Sequence, residues 1–161
     1  MDGVVTARRR HIDELLSIGL RQADVDELWA SSKATPEDAL IRSYEKATVT
    51  WSILLDDRCI GMFGVGGLNI LSPVGMPWML ASDMIRDKRV WRRFLREGRE
   101  YWIDNMHDLY TTLVNWIDAR NTVSLRWAKW VGFRVFEPEP FGPFGMPFHR
   151  IERKRGDKLY V

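Results

Sequence analysis

Apolar residues recur along the first third of the chain at the three- and four-residue spacing of helices. Residues 12–20 follow this spacing, with Gly19 as a plausible helix stop, and residues 23–30 continue it as a short acidic helix. Thr35, followed by Pro36 and two acids, is typical of a helix N-terminus, because threonine caps free amides and proline fits the first turn. This motif predicts a further helix that runs to about Lys46.

The pattern then changes to runs of β-branched and apolar residues, which are typical of buried strands. Two such runs, at 48–55 and 58–64, flank the turn residues Asp56 and Asp57 and predict a hairpin. A third apolar run at 75–82 predicts the next strand.

Residues 88–107 form the clearest amphipathic helix of the sequence. Trp91, Phe94 and Trp102 fall on one face, and we expect that face to be buried. The opposite face carries an arginine stripe, which consists of Arg89, Arg92, Arg93, Arg96 and Arg99. Such a face suits either solvent or an acidic partner, because arginine favours bidentate contacts with carboxylates and phosphates.

The C-terminal third contains a strand, a capped helix and two more strands. Asn121 begins the helix, because asparagine side chains cap free helix amides. A Pro/Phe loop (residues 137–147) separates the last two strands, and its Phe141 and Phe144 either anchor a partner or cover the sheet edge. Residues 148–153 are expected to pair back as an edge strand.

Together these elements give the order β-α-α-β-β-β-α-β-α-β-β in one domain over residues 1–161. This order predicts an α/β fold with a mixed, mostly antiparallel central sheet flanked by helices. The strands are expected at residues 4–7, 48–55, 58–64, 75–82, 109–117, 133–136 and 148–153.

The composition is that of a globular protein, with 45% hydrophobic and 29% charged residues in a chain of 161. The net charge of +2 gives no overall polyanion-binding character, but the charge is segregated. Residues 12–57 carry ten acids and four bases, whereas residues 86–99 carry seven bases and two acids. Such polarity suits contact with neighbouring proteins or copies of this chain, and compensation within the domain explains it equally well.

Cysteine and histidine offer little chemistry. Cys59 has no second cysteine to pair with, and we expect it in the core rather than as a low-pKa thiol beside Arg58. The three histidines lack the spacing of a metal site. The N-terminus has no apolar signal segment, and the most apolar stretch, 68–82, is shorter than the roughly 20 residues of a membrane helix. We therefore expect a protein that is neither secreted nor membrane-spanning.

The segment from Asn121 to Phe133 carries the most specific resemblance to a known family. It reads NTVSLRWAKWVGF, with Asn121 opening the helix and Gly132-Phe133 leading into the next strand. Together with the element order, this segment resembles the GCN5-related N-acetyltransferase (GNAT) superfamily. The resemblance implies a GNAT-like fold and, in active members, acetyl transfer from acetyl-CoA.

A narrower resemblance covers roughly the C-terminal half of the chain. The strand led by Trp78, the arginine-rich helix and the helix that begins at Asn121 are similar to the GNAT-related internal virion protein A family of short-tailed phages. This resemblance implies a virion or assembly protein that contacts other phage structural proteins or copies of itself. It would act in the phage virion, or in the host cytoplasm during assembly.

The sequence departs from active GNAT enzymes at two places. Those enzymes usually carry a glycine-rich loop whose amides bind the coenzyme pyrophosphate, and the corresponding segment 81–91 has no glycine but includes Asp83 and Asp87. Ala128 stands where active members often place a tyrosine that protonates the leaving thiolate. Both departures favour a fold retained without acetyl transfer, with no cofactor and no catalytic residue.

The sequence therefore leads to three functional hypotheses. The first is a catalytically degenerate GNAT-like domain that acts in phage assembly through the arginine stripe, Phe141 and Phe144. The alternative is an acetyl-CoA-dependent N-acetyltransferase with a diverged coenzyme loop. Its expected coenzyme contacts are Met79, Leu80, Arg86, Arg89, Asn121 and Ser124. Nucleic-acid binding through the arginine stripe is the third, and no assignable aromatic stacking pattern supports it.

Overall fold

The computed structural model describes residues 3–69 and 71–157. Its helices and strands follow the predicted order closely. In chain order they are β1 (Gly3–Thr6), α1 (Arg9–Ile18), α2 (Gln22–Ser32), α3 (Pro36–Lys46), β2 (Val49–Leu55), β3 (Arg58–Gly67), β4 (Val74–Ala81), a 3-10 turn (Asp83–Arg86), α4 (Lys88–Glu97), a π-helical turn (Gly98–Trp102), α5 (Ile103–Leu109), β5 (Thr112–Asp118), α6 (Thr122–Trp130), β6 (Arg134–Val135), β7 (Glu139–Phe141) and β8 (Met146–Lys154).

The sheet is mixed and mostly antiparallel, as the sequence predicts. Its strand order is β1-β2-β3-β4-β5-β8-β6, with β7 paired to β8. The β4–β5 pairing is parallel and short. In the described chain, Val74 pairs with Thr112 and Gly75 pairs with Leu113. Beyond these two pairs the strands separate, and the resulting gap holds the candidate site.

Helices cover both faces of the sheet and create two cores. Leu15 of α1 and Leu40 of α3 pack with Met62 on one face. Phe94 of α4 packs with Phe63 on the other. Met62 and Phe63 are successive residues of β3, and successive side chains of a strand point to opposite faces. The α1–α3 face and the α4–α6 face are therefore separate layers.

The helical segments differ from the prediction in two details. Gly19, with a φ of 95°, ends α1 as expected, but three helices precede the β2–β3 hairpin, one more than the predicted order contains. The predicted helix over 88–107 is interrupted by a π-helical turn at Gly98–Trp102. Phe94 is buried as expected, whereas Trp91 is half-buried.

The last strand is not at the sheet edge, so that prediction is wrong. β8 pairs with β5 on one side and with β6 and β7 on the other. The reason is that the Pro/Phe loop folds into a hairpin whose strand β7 runs against the start of β8. Within the described parts of the chain, no helix is long and apolar enough to cross a bilayer.

Candidate functional site

A cavity of about 360 Å³ lies where β4 and β5 separate. Residues of α2, β4, β5, α6 and β7 line it. They include Asp24, Glu27, Met76, Pro77, Trp78, Met79, Leu80, Asn115, Trp116, Ser124, Trp127 and Phe141. Among the residues predicted to contact a coenzyme, Met79, Leu80 and Ser124 therefore meet in one place.

The cavity is lined from both faces of the sheet. Trp78 and Leu80 pack with the core under α1–α3, whereas Met79 packs with the core under α4–α6. On β5, Ile117 belongs to the core under α4–α6, so its neighbour Trp116 points to the α1–α3 face. The gap between the strands thus joins two apolar walls that the sheet would otherwise separate.

The peptide groups of Met79 face this gap. The carbonyl of Pro77 accepts a hydrogen bond of 2.5 Å from Asn115 Nδ2 across the gap, and the N–H of Ala81 donates to Asp24 on the same side. Alternate residues of a strand direct their peptide groups to the same side. Met79 lies midway between Pro77 and Ala81, so its main chain borders the cavity, whereas that of Leu80 faces β3.

A buried ion pair from α2 closes the far end of β4. Arg21 and Asp24 are each about 3% exposed, and their side chains form a two-bond pair with Nη2–Oδ1 at 2.7 Å and Nε–Oδ2 at 3.2 Å. Ala81 donates its N–H to Asp24 and accepts a hydrogen bond from the N–H of Arg21. Because both partners are buried, the pair is costly to break, so it fixes α2 against β4.

Glu27, one turn further along α2, joins the end of β5 and the start of α6. Its Oε1 accepts from the N–H of Asp118 at 3.0 Å, and its Oε2 accepts from Asn121 Nδ2 at 2.6 Å. Burial is the main cause that raises the pKa of Glu27, and with the charges of Asp24 and Asp118 it outweighs these two hydrogen bonds to give a pKa of about 7. A carboxyl group that titrates near neutrality at a cavity wall is suited to general-base chemistry.

Arg21, Asp24 and Glu27 form a group that was not predicted from the sequence. Their spacing of three residues places them on one side of α2, and that is the signal that reveals them. By contrast, the structure confirms the capping role of Asn121, whose Oδ1 accepts from the N–H of Ser124 at 3.4 Å. The hydroxyl of Ser124 in turn accepts from Arg21.

Solved structures identify this architecture. A ribosomal-protein-alanine N-acetyltransferase from Brucella melitensis is similar with a TM-score of 0.66 at 16% identity, covering 94% of this chain and 98% of that chain. A GCN5-related N-acetyltransferase from Kribbella flavida gives a TM-score of 0.64 at 18% identity, covering 94% and 96%. The fold is that of the GNAT superfamily.

A third GNAT structure was solved with a ligand. It is an aminoglycoside acetyltransferase in complex with coenzyme A and kanamycin, with a TM-score of 0.63 at 15% identity over 96% of this chain and 95% of that chain. No protein-family model and no curated protein matches the sequence. The comparisons therefore confirm the predicted GNAT fold, and they give no support to the resemblance to internal virion proteins.

The N-terminus of α4 is capped by the side chain of Asp87. Asp87 Oδ1 accepts from the N–H of Arg89 at 2.9 Å, and the guanidinium of Arg89 binds the same carboxylate at 3.0 and 2.8 Å. Arg89 thereby lowers the pKa of Asp87 to about 2. The ionised carboxylate of Asp87, paired with Arg89, therefore occupies the N-terminus of α4, which would otherwise attract phosphate. Of the predicted phosphate contacts, Arg86 is exposed and Arg89 is turned onto Asp87.

The arginine stripe is exposed over most of its length. Arg92 and Arg96 are exposed, and Arg93 pairs with Glu97 at 2.6 Å. Arg99 departs from the prediction, because its guanidinium stacks 3.9 Å above the ring of Trp130 and is half-buried. The charged face therefore ends at the π-helical turn.

The two phenylalanines of the Pro/Phe loop have different surroundings. Phe141 stacks on Trp116 with ring centroids 4.6 Å apart, so it forms part of the cavity wall. It is therefore not an exposed anchor for a partner, which was one of the two predicted alternatives. Phe144 is half exposed and lies 6.4 Å from the ring of Trp29. The loop approaches α2 closely, since a Cβ at Gly142 would lie 2.3 Å from the carbonyl oxygen of Ala30.

Cys59 is buried in the core of the α1–α3 face, as expected. Burial raises the pKa of its thiol to about 11, so the interpretation as a low-pKa thiol is wrong. In the described ranges, no group of three or more His, Cys, Asp or Glu residues is arranged to hold a metal ion.

Proposed function

We propose that this protein is an acyl-CoA-dependent N-acyltransferase with a diverged coenzyme segment. The observation that carries the proposal is the carboxyl group of Glu27, with a pKa raised to about 7, in the wall of a cavity between two separating strands. The cavity is lined from both faces of the sheet, so a donor and an acceptor can approach each other from opposite sides. The GNAT fold supports this reaction class by analogy.

The residues around the gap fit the acyl end of the donor. When bound, an acyl thioester supplies an activated carbonyl carbon and a thiol as leaving group. The Met79 main chain offers hydrogen bonds to an extended amide-containing arm, in the way that a strand edge binds another strand. Apolar side chains of Met79 and Trp127 would cover the arm.

The residues at the start of α4 suit binding of the coenzyme phosphates by side chains rather than by main-chain amides. The carboxylate of Asp87 occupies the start of α4, and Ser82 Oγ accepts from the N–H of Met84. Exposed cations stand beside them on Arg86 and Lys88. Phosphates would therefore be held by these side chains rather than by main-chain amides.

Glu27 is the group that moves a proton in this proposal. An amine acceptor is protonated near pH 7 and must lose a proton before its lone pair can form the new C–N bond. Glu27 accepts that proton, while the N–H of Asp118 and the side chain of Asn121 hold its carboxylate in place. The thioester C–S bond breaks as the C–N bond forms, and the nitrogen releases its second proton to solvent as it becomes an amide. The thiolate takes its proton from solvent, because Ala128 supplies no acid.

Titration calorimetry with acetyl-CoA tests the donor half of the proposal. We expect micromolar affinity that weakens severalfold in Arg86→Ala, because that variant loses a cation at the phosphate end. Arg58→Ala, which removes an exposed arginine from the first position of β3, is the matched control. Absence of binding up to millimolar acetyl-CoA contradicts the proposal.

Removing the charge of Asp87 should strengthen coenzyme binding. Asp87→Ser keeps an N-cap side chain but removes a negative charge from the start of α4, so we expect the Kd for acetyl-CoA to fall about twofold to fivefold. Asp38→Ser makes the same change in the first turn of α3 and should have no effect. An unchanged or higher Kd for Asp87→Ser would mean that the phosphates lie elsewhere.

A second candidate function is favoured by the same Asp87 cap. A GNAT-fold domain without coenzyme would act through protein contacts. The exposed arginines of α4 offer one surface for them, and Trp29 with Phe144 offers another on the opposite layer. Phage structural proteins or copies of this chain are the partners that the sequence resemblance suggests. The acetyl-CoA titration separates the two candidates, since the assembly role requires no coenzyme.

A further inference from the structure

We infer that the acceptor is a single primary amine carried on a flat, aromatic or similarly apolar body. This inference rests on the proposed acyl transfer and concerns the α1–α3 side of the same cavity. It follows from three properties of that side: the rings in its wall, its charge and its size.

Aromatic rings form the wall on the α1–α3 side. The indoles of Trp78 and Trp116 line the cavity, and both are half-buried, so part of each ring is open to a ligand. Phe141 stacks on Trp116 with an angle of 15° between the rings, and Phe148 supports Phe141 at 5.0 Å. The wall around Trp116 is thus held in place before any ligand binds. A preformed stack of this kind favours a flat apolar group over a flexible polar chain.

The charge of the cavity suits one cation. Among the described residues that line it, the acidic ones are Asp24 and Glu27. The charge of Asp24 is already compensated by the Arg21 guanidinium, whereas the partners of Glu27, the N–H of Asp118 and the Asn121 amide, are neutral, so Glu27 is the carboxyl group left to compensate a cation. One carboxyl group can receive one ammonium group, whereas a polyamine would bring further charges into an apolar wall without compensation.

The volume limits the acceptor to a small body. About 360 Å³ lies at the lower end of the roughly 300–1,000 Å³ of small-molecule sites, and the acyl group must share the space. One or two rings therefore fit beside the reacting carbon. A long polar chain would extend beyond this space.

Binding of free amines to the whole protein, without any acyl donor, tests this inference directly. We expect calorimetry to show that phenethylamine binds at least about tenfold more tightly than ethanolamine or spermidine, because it buries a ring. With acetyl-CoA present, kcat/KM should follow the same order. Trp116→Ala should abolish the preference for phenethylamine. Trp29→Ala, which removes an exposed indole of α2 that does not line the cavity, should leave it unchanged.

The outcomes separate this inference from the proposed function. Transfer to ethanolamine or spermidine in preference to phenethylamine would overturn the acceptor class and leave the acyltransferase intact. Failure of acetyl-CoA to bind, with phenethylamine still selected, would overturn the transferase and retain the aromatic amine site. Equal affinity for all three amines overturns the inference. If circular dichroism shows that Trp116→Ala is unfolded, Phe141→Leu replaces it and should lower phenethylamine affinity by removing the supporting ring.

Discussion

Glu27→Gln should lower kcat for acyl transfer by about 10²–10⁴-fold, the range that a positioned general base contributes. Glutamine has nearly the same shape and can still accept from the N–H of Asp118, but it cannot take a proton from the amine. Binding of acetyl-CoA should not change, because the carboxyl group acts on the acceptor. Steady-state kinetics and calorimetry on the same preparation measure the two quantities.

The pH dependence gives Glu27 a signature of its own. The carboxylate is the active form, so kcat/KM should rise with pH through about 7, which is the pKa of Glu27. In Glu27→Gln this rise of kcat/KM should be absent. Stability should move the other way. Between about pH 4.5 and pH 7 the folded state holds a proton that the unfolded state has lost, so the free energy of unfolding falls as pH rises.

A control and a contrary result complete this experiment. Glu37→Gln, at an exposed position in the first turn of α3, should change neither the rate nor its pH profile. If Glu27→Gln keeps the wild-type kcat, Glu27 is a structural link between α2, β5 and α6 only. The proton would then need another acceptor.

Phe94→Ala should reduce the free energy of unfolding by about 3–5 kcal/mol, the usual cost of removing a buried aromatic ring. Phe94 is 2% exposed and contacts the rings of Phe63 at 5.2 Å and Trp127 at 6.0 Å. Trp91→Ala should cost less, because Trp91 is only half-buried on the same helix. Urea unfolding of both variants measures the difference.

Arg92→Ala serves as the matched control, since it lies on the exposed face of α4 and should change stability little. A loss of less than about 1 kcal/mol for Phe94→Ala would show that α4 does not pack through this ring. The sequence alone predicts equal burial for Trp91 and Phe94, so the comparison also tests what the structure adds.

Local signals were sufficient to predict most of the fold. The N-cap at Thr35, whose Oγ1 accepts from the N–H of Asp38, and the cap at Asn121 depend on residues three positions apart. The β2–β3 hairpin depends on a turn between adjacent strands. In each case the interacting residues are near neighbours in the sequence, so their pattern is visible there.

The candidate site depends on distant residues, and for that reason much of it was not predicted. Glu27 reaches its partners Asp118 and Asn121 across 91 and 94 positions. Nothing in the sequence near Glu27 indicates that burial will raise its pKa. Likewise, Phe141 becomes a cavity wall only because β7 pairs with β8 and brings the ring onto Trp116.

Because the β4–β5 pairing is short, few main-chain hydrogen bonds connect the two halves of the sheet. Strands β1–β4 form one half and β5–β8 the other, and Val74–Gly75 meets Thr112–Leu113 where they join. Helix α2 spans the seam through its bonds to Ala81 and Asp118. A molecule in the gap contacts both halves, so its binding raises the free energy of unfolding of the whole domain. The melting temperature would then report how much of the protein has the gap occupied.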